Sequence, residues 1–336
     1  MGNPMLGKMQ IGVESPAAHG TPVAATKLLP ITQGALPVDR KPTPIPYDLG
    51  VNTEVTGSFV QGILAQDTLS WDQGFFQLLP YLFSGLLKGG VIPAEKSVGK
   101  GDWEYNFTPS LTLDNTLDSF TLERGDSQQP VEIEYLMFKR LKISGQVNQE
   151  GGESTVKIEA DYFGRQHTNA VFTAALAPMP TTIMNAKLAT LFIDPTWLTV
   201  GTTEKAGILR AFDLEVLGGA YPKFNGANVE TFTSHDQGPM SAMLALTLER
   251  GVDSEALRAA IGTFKVARLK IAGPLIGGGI NPHSFTVDLG GYIEDVIAMA
   301  QTDRGGKLDT AVIHGQYDPT GAKLIVPKVV TTLPTL

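Results

Sequence analysis

Thr121-Leu-Glu-Arg-Gly125 occurs a second time as Thr247-Leu-Glu-Arg-Gly251, and this recurrence decides how the chain is read. Each copy is followed by a second matching block, Arg140-Leu-Lys-Ile-Ser-Gly145 in the first and Arg268-Leu-Lys-Ile-Ala-Gly273 in the second. A Gly-rich turn and an alternating strand come next, Val156-Lys-Ile-Glu-Ala160 and Phe285-Thr-Val-Asp-Leu289. Three elements in one order, offset by 126 to 129 positions, point to an internal duplication. That period is too long for a solenoid repeat and matches one small domain.

The bulk composition agrees. The chain has 336 residues, 42% hydrophobic and 18% charged, enough for two folded domains with their own cores. The 37 glycines and 22 prolines imply many turns and short strands. A net charge of −8 excludes the basic footprint of a nucleic-acid binder. The absence of cysteine excludes disulfides and thiolate metal sites. The longest apolar stretch, Phe75 to Leu87, is broken by Gln77, Pro80, Ser84 and Gly85 and is too short to span a bilayer. The N-terminus lacks the pattern of a signal peptide.

Residues 1–48 contain eight prolines, which favour extended backbone over helix. This segment reads either as a leader without fixed structure or as an arm along a neighbouring subunit. Residues 49–66 read as a strand or strand pair. The three- and four-residue spacing of Phe75, Leu78, Leu79, Leu82, Phe83, Leu86 and Leu87 predicts a helix within Trp71–Lys88, with Pro80 bending it or marking its start. Period-two alternation then predicts strands at Trp103–Phe107, Val131–Tyr135, Arg140–Ser144 and Val156–Asp161, hence antiparallel sheet with one buried face. Residues 162–200 are irregular, and the junction between domains is placed at Thr199–Lys205. Strands follow at Ile208–Val216 and Met240–Glu249, a short helix at Asp253–Ile261, and another helix at Tyr292–Gln301. A closing hairpin is expected from Ala311–His314 and Lys323–Val326 around Asp318-Pro-Thr-Gly321. The fold class is therefore mainly β with a few helices. The expected domains are an arm at 1–48, a first β-sandwich or partial-barrel domain at 49–202, and a second at 203–336.

No catalytic constellation is legible. The histidines, His19, His167, His235, His283 and His314, lie at no metal-ligand spacing. His235-Asp236 reads as an exposed loop pair. No phosphate-binding loop, nucleophile elbow or thiol nucleophile is present. Glu132, Glu134, Glu159 and Asp161 alternate along strands and so belong to solvent faces. We expect no enzyme, no cofactor and no metal. The residues expected to carry fold or interface roles are those of the repeated blocks: Thr121, Arg124, Gly125, Arg140 and Gly145, with Thr247, Arg250, Gly251, Arg268 and Gly273.

The segment Ile11-Gly-Val-Glu-Ser-Pro-Ala-Ala-His-Gly-Thr-Pro-Val-Ala-Ala-Thr-Lys-Leu-Leu29 resembles the start of major tail tube proteins of long, non-contractile-tailed bacteriophages. The run Leu78-Leu-Pro-Tyr-Leu-Phe83, the element Phe120-Thr-Leu-Glu-Arg-Gly125, the strand Phe138-Lys-Arg-Leu-Lys-Ile-Ser-Gly145 and Tyr317-Asp-Pro-Thr-Gly321 are similar to that family as well. The resemblance implies a β-sandwich or partial barrel with a flanking helix, stacked in rings of six domains. It implies a virion location, host cytoplasm before assembly, and as partners the chain itself together with tape-measure, terminator and tip proteins. DNA would be met only in transit, and no membrane is involved. Loops 89–102 and 146–155 would serve ring stacking. Two domains per chain depart from the common one-domain version, so three chains would make a pseudo-sixfold ring closed by heterologous contacts. The competing readings are a capsid-decoration or receptor-binding β module that forms no tubes, and a two-domain β enzyme, for which a converging carboxylate pair is missing.

Overall fold

We describe the chain from a computed structural model, over residues 7–30, 39–46, 55–126, 128–147, 154–226, 229–303 and 306–336. In chain order the elements are β1 (Lys8–Val13), β2 (Lys27–Leu29), β3 (Arg40–Ile45), β4 (Gly57–Ile63), β5 (Ala65–Trp71), α1 (Leu79–Leu86), β6 (Ala94–Glu95), β7 (Trp103–Asn106), β8 (Phe120–Gly125), β9 (Pro130–Gln146), β10 (Val156–Gly164), β11 (His167–Asn169), β12 (Ala189–Asp194), β13 (Leu209–Leu217), β14 (Ala220–Lys223), β15 (Ser234–Gln237), β16 (Ser241–Glu249), α2 (Val252–Ala259), β17 (Phe264–Leu275), β18 (Pro282–Asp303), β19 (Gly306–Gly315) and β20 (Ile325–Thr331). The protein is thus mostly antiparallel β, as the alternation requires.

Two long strands, β9 and β18, belong to more than one sheet. The first sheet runs β5-β10-β9-β13-β16-β19-β18 and uses the second half of β18. The second runs β12-β17-β18-β20-β7-β6 and uses its first half. The first half of β9 carries a third leaf, with β8, β1 and β2 on one side and β11 on the other. Alternation sets the faces. Phe212, Leu214 and Val216 of β13 and Ala242, Leu244, Leu246 and Leu248 of β16 are buried. The residues between them are half-buried or exposed.

α1 sits within the core. Its eight residues are all buried, so it is apolar all round rather than amphipathic. It is shorter than the sequence expectation of Trp71–Lys88. Trp71 closes β5 opposite Ile158, and Phe75 bridges to Ile183. Strands bury those aromatics, so their spacing mimics a helix face. Pro80 lies in the first turn, where its missing N–H costs nothing.

Other expectations need correction. Tyr292–Gln301 is strand, not helix. Register shifts at Ile293/Asp295 and Ile297/Gln301 put both Ile293 and Val296 inside, and a bulged strand thereby copies a three-residue helical spacing. Ala311–His314 and Lys323–Val326 do not form a hairpin. β19 and β20 both run antiparallel to β18, one along its second half and one along its first. The Asp318–Gly321 turn is real, closed by Thr320 and Gly321 N–H donating to the Asp318 carboxylate at 3.0 Å each. It makes an excursion between collinear strands and does not reverse the chain. Residues 162–200, expected to be irregular, contain the end of β10 and two further strands, β11 and β12.

The repeat is preserved in part. β9–β10 and β17–β18 are hairpins of the same register: Arg140 faces Asp161 and Ile143 faces Ile158, while Arg268 faces Asp288 and Ile271 faces Phe285. Val156–Ala160 therefore corresponds to His283–Val287, two residues earlier than the sequence alignment placed it. The Thr-Leu-Glu-Arg-Gly copies are not equivalent in pairing. β8 forms a hairpin with β9, whereas β16 pairs with β13 and β19. The parts on either side of Thr199–Lys205 are interwoven, because β12 pairs with β17 and β13 pairs with β9.

The Pro-rich N-terminal segment is seated on its own chain over residues 7–30. β1 pairs with β8 in register from Lys8↔Gly125 to Val13↔Phe120, and Met9 and Ile11 are buried. β3 and β4 form a separate two-stranded hairpin. Residues 47–54 and 148–153, which include parts of the expected 49–66 strand and 146–155 loop, lie outside the described residues.

Candidate functional site

The surface most suited to a function is the outer face of the seven-stranded first sheet. Small and hydroxylic residues dominate its middle, where Ser144, Ala211, Ala245, Thr247 and Thr310 border a shallow concavity of about 430 Å³. Charges on this face are paired, across strands except for Lys157 and Glu159, which share β10. Arg140 Nε meets Glu215 Oε1 at 2.6 Å and its Nη1 meets Asp161 at 3.2 Å. Lys142 meets Asp213 at 2.8 Å, Lys157 meets Glu159 at 2.8 Å, and Arg210 meets Glu249. Each such half-exposed pair adds little stability. Together they leave a face with no row of unpaired cations to grip a phosphate chain. Glu215 and Asp161 raise the Arg140 guanidinium further above its already high pKa, first through the hydrogen bond that Arg140 Nε donates to Glu215.

Both borders of this sheet are open. Among the described residues β5 pairs only with β10, and the second half of β18 beyond Ile293 pairs only with β19. Ile297 and Met299 on that border are about half exposed. A strand border with unsatisfied N–H and C=O groups is a template for another strand.

The predicted repeat residues divide into distinct roles. Gly145 and Gly273 mark equivalent close approaches. A Cβ on Gly145 would lie 2.6 Å from the Phe212 ring, and one on Gly273 would lie 2.7 Å from the Phe76 ring. Arg268 makes a two-pronged contact with Asp288 at 2.6 and 2.8 Å, the geometry that a guanidinium suits best. Arg124 is buried and reaches Asp67 at 3.3 Å. Gly125 adopts φ +135° where β8 turns towards β9, with Gln129 O at 2.3 Å from any Cβ. Thr247 lies on the concave face opposite Thr310. Arg250 and Gly251 belong to the start of α2. Gly251 N–H donates to Ser254 Oγ at 3.0 Å, and Arg250 Nη1 lies 3.5 Å from Asp309. Burial alone would raise the Asp309 carboxyl, but donation from Met299 N–H and Ser254 Oγ together with Arg250 outweighs it and holds the group low.

Thr121 belongs to a cluster the sequence reading missed. Glu14, 1% exposed, accepts four hydrogen bonds. Thr121 Oγ1 at 3.1 Å and Tyr135 N–H at 2.8 Å reach one oxygen. Ser119 Oγ at 2.6 Å and Gly20 N–H at 2.7 Å reach the other. His19 Nδ1 lies 2.7 Å from Ser119 Oγ. The trio of serine, histidine and carboxylate is not a nucleophile assembly. Ser119 is fully buried and sits between the other two, donating to the carboxylate, whereas a nucleophile needs the histidine in the middle. The arrangement instead fixes the turn after β1 to β8 and β9. Around it Tyr135 packs on His19, Phe232 and Arg165, and Tyr135 Oη lies 3.0 Å from His235 Nδ1. His235 is therefore part of a packed cluster and not an exposed loop residue. Burial, then the nearby His19, lowers its pKa.

Glu132, Glu134, Glu159 and Asp161 are all half-buried on their strands. Glu134 pairs with Arg165 at 3.1 Å. Burial raises Glu132, with Glu123, Glu134 and Glu14 adding to the rise. Among the described residues no group of three histidine or acidic side chains is placed to hold a metal ion, and no helix is long and apolar enough to cross a membrane. No protein-family model matches the chain, and no curated protein matches it.

Proposed function

We propose that the protein is a structural component that polymerises into a tube, as the resemblance to phage major tail tube proteins implies. The observation that carries this reading is the first sheet. One face carries a shallow concavity and charges paired with one another, and among the described residues neither border has a second strand. In a ring, the β5 border of one copy meets the β18 border of the next. This heterologous contact closes if the rotation completes a circle and hides the exposed backbone. The concave face becomes the wall of the bore. Its charges are already satisfied by one another, so DNA passing through finds few free cations to bind. Three chains per ring is the stoichiometry that two repeated units per chain imply under the same resemblance. The virion location and the tape-measure, terminator and tip partners belong to the same reading.

The test is electron microscopy of the purified protein at rising concentration. Evenly striated hollow filaments are expected. Discrete particles at every concentration, with Thr68→Pro on the β5 border changing nothing, would overturn the proposal.

A further inference from the structure

The two hairpins of equal register do not carry equal charge. In the first, Lys142 of β9 faces Glu159 of β10 and Glu215 of β13, and it meets Asp213 at 2.8 Å. Its counterpart Lys270 of β17 faces Thr286 of β18 on one side and Thr190 of β12 on the other. Each facing carboxylate has thus given way to a hydroxyl. One strand further out, Lys328 of β20 faces Thr286, where the first hairpin has Ser70 of β5 facing Glu159.

Lys270 and Lys328 therefore flank Thr286 in one row across the second sheet. Two strand spacings of about 4.8 Å put their backbones roughly 10 Å apart, within the combined reach of two four-carbon stems. Lys270 is exposed and Lys328 half-buried. With Ser284, Arg268, Lys96 and Glu104 they border a recess of about 190 Å³ on the outer face of this sheet.

The acids at this place are already engaged. Glu104 binds Lys96 at 2.6 Å, and Asp288 holds Arg268 with both oxygens, at 2.6 and 2.8 Å. Asp194, which also acts on Arg268, is fully buried and accepts from Gly201 N–H at 2.8 Å, Thr202 Oγ1 at 2.9 Å and Thr203 N–H at 3.1 Å. Glu95 accepts from Gly101 N–H at 2.9 Å. Among the described residues Lys270 and Lys328 have no ion-pair partner, and the Ser284 and Thr286 hydroxyls have no hydrogen-bond partner.

Single unpaired lysines are ordinary on a protein surface. These two differ because the duplicate of Lys270 keeps its carboxylates, and because they share a recess with two uncommitted hydroxyls. We infer that the recess binds a phosphate group, either free or carried as a phosphomonoester. Such a group has close to two negative charges near neutral pH and several strong acceptor oxygens, which match two ammoniums and two hydroxyls. At about 30 Å³ for each water the recess has the room of roughly six waters, so it takes the phosphate and leaves any attached group outside. A polynucleotide needs a longer run of cations than this face offers. The inference goes beyond the tube reading and does not depend on it.

The test is equilibrium dialysis of the full chain against radiolabelled inorganic phosphate, with ionic strength held constant by chloride. It reads binding in any state of assembly. One saturable site per chain is expected, with a Kd on the order of 1 mM. Lys270→Gln and Lys328→Gln should each raise Kd about tenfold or more, through loss of a charge-assisted hydrogen bond. Lys142→Gln, on the paired duplicate, should leave it unchanged. All three are surface changes and should leave the melting curve as it is. Phenyl phosphate separates the two sources. Competition near pH 7.5 that weakens near pH 5.5, below the second pKa of about 6, assigns the site to a phosphoryl group on a larger molecule; no competition assigns it to free phosphate. Absence of saturable phosphate binding, or equal weakening by Lys142→Gln, would overturn the inference. Binding of polyglutamate in place of phosphate would give the face to an acidic protein and overturn it as well.

Discussion

Replacing Glu14 by alanine removes an acceptor that four donors share. The Ser119 and Thr121 hydroxyls and the Gly20 and Tyr135 amides all point at its two oxygens. The site is closed to solvent, with Glu14 1% and Ser119 and Thr121 0% exposed, so water does not replace what is lost. At about 1 kcal/mol net for each hydrogen bond the variant should lose about 4 kcal/mol. Glutamine is the more discriminating change. Each carboxylate oxygen accepts two donors, so whichever oxygen becomes NH2 is set against a backbone N–H that cannot turn away. We expect Glu14→Gln to lose about 2 kcal/mol, half of the alanine effect, despite its matching shape. With roughly 2–4 °C per kcal/mol for a chain of this order of size, Glu14→Ala should lower the melting temperature on the order of 10 °C. The assay is thermal unfolding followed by circular dichroism. It is paired with limited proteolysis, in which cleavage within residues 15–26 should appear well below the global transition. A Glu14→Ala protein melting within 2 °C of wild type would refute the claim that this carboxylate seats the N-terminal segment.

Gly145→Ala and Gly273→Ala should each cost about 1–3 kcal/mol in denaturant unfolding, because the added methyl meets a packed phenyl ring at Phe212 or Phe76; equal stability in either variant would contradict the packing described. His235 has a folded pKa below its unfolded value, owing to burial and then to His19. Its contribution is therefore complete above about pH 6.5 and is lost as pH falls through the depressed folded value. His235→Gln should flatten the decline in stability between pH 7 and pH 5 without abolishing it, since burial also lowers His283; an unchanged slope would show that the cluster around Tyr135 is not titrating.

Much of the β architecture could be read from period-two alternation, because one buried face leaves its mark on every second residue. Leu141 and Ile143 against Arg140 and Lys142, or Phe212, Leu214 and Val216 against Asp213 and Glu215, are examples. The equivalence of Arg140 with Arg268 was legible for the same reason. What escaped depends on partners distant in sequence. β12 is a six-residue run between irregular segments, and only β17 makes it a strand. The bulges in β18 are set by β19, and they turned a strand into an apparent helix. β19 and β20 look like the arms of a hairpin until β18 is seen to run past both. In the candidate site, the paired charges of the concave face follow from register. The open borders and the Glu14 cluster do not. Glu14 is one acid in a Pro-rich leader, and three of its four donors lie more than 100 residues away.

The count of strands in the first sheet carries a consequence of its own. Six antiparallel steps separate β5 from the second half of β18, so the two outermost strands point the same way. Rotational symmetry preserves that sense from copy to copy. Direct joining of successive copies would therefore create a parallel seam in an otherwise antiparallel wall, with evenly spaced, slanted hydrogen bonds and slightly weaker cohesion per residue. The joints between chains would be the lines along which such a cylinder splits under stress.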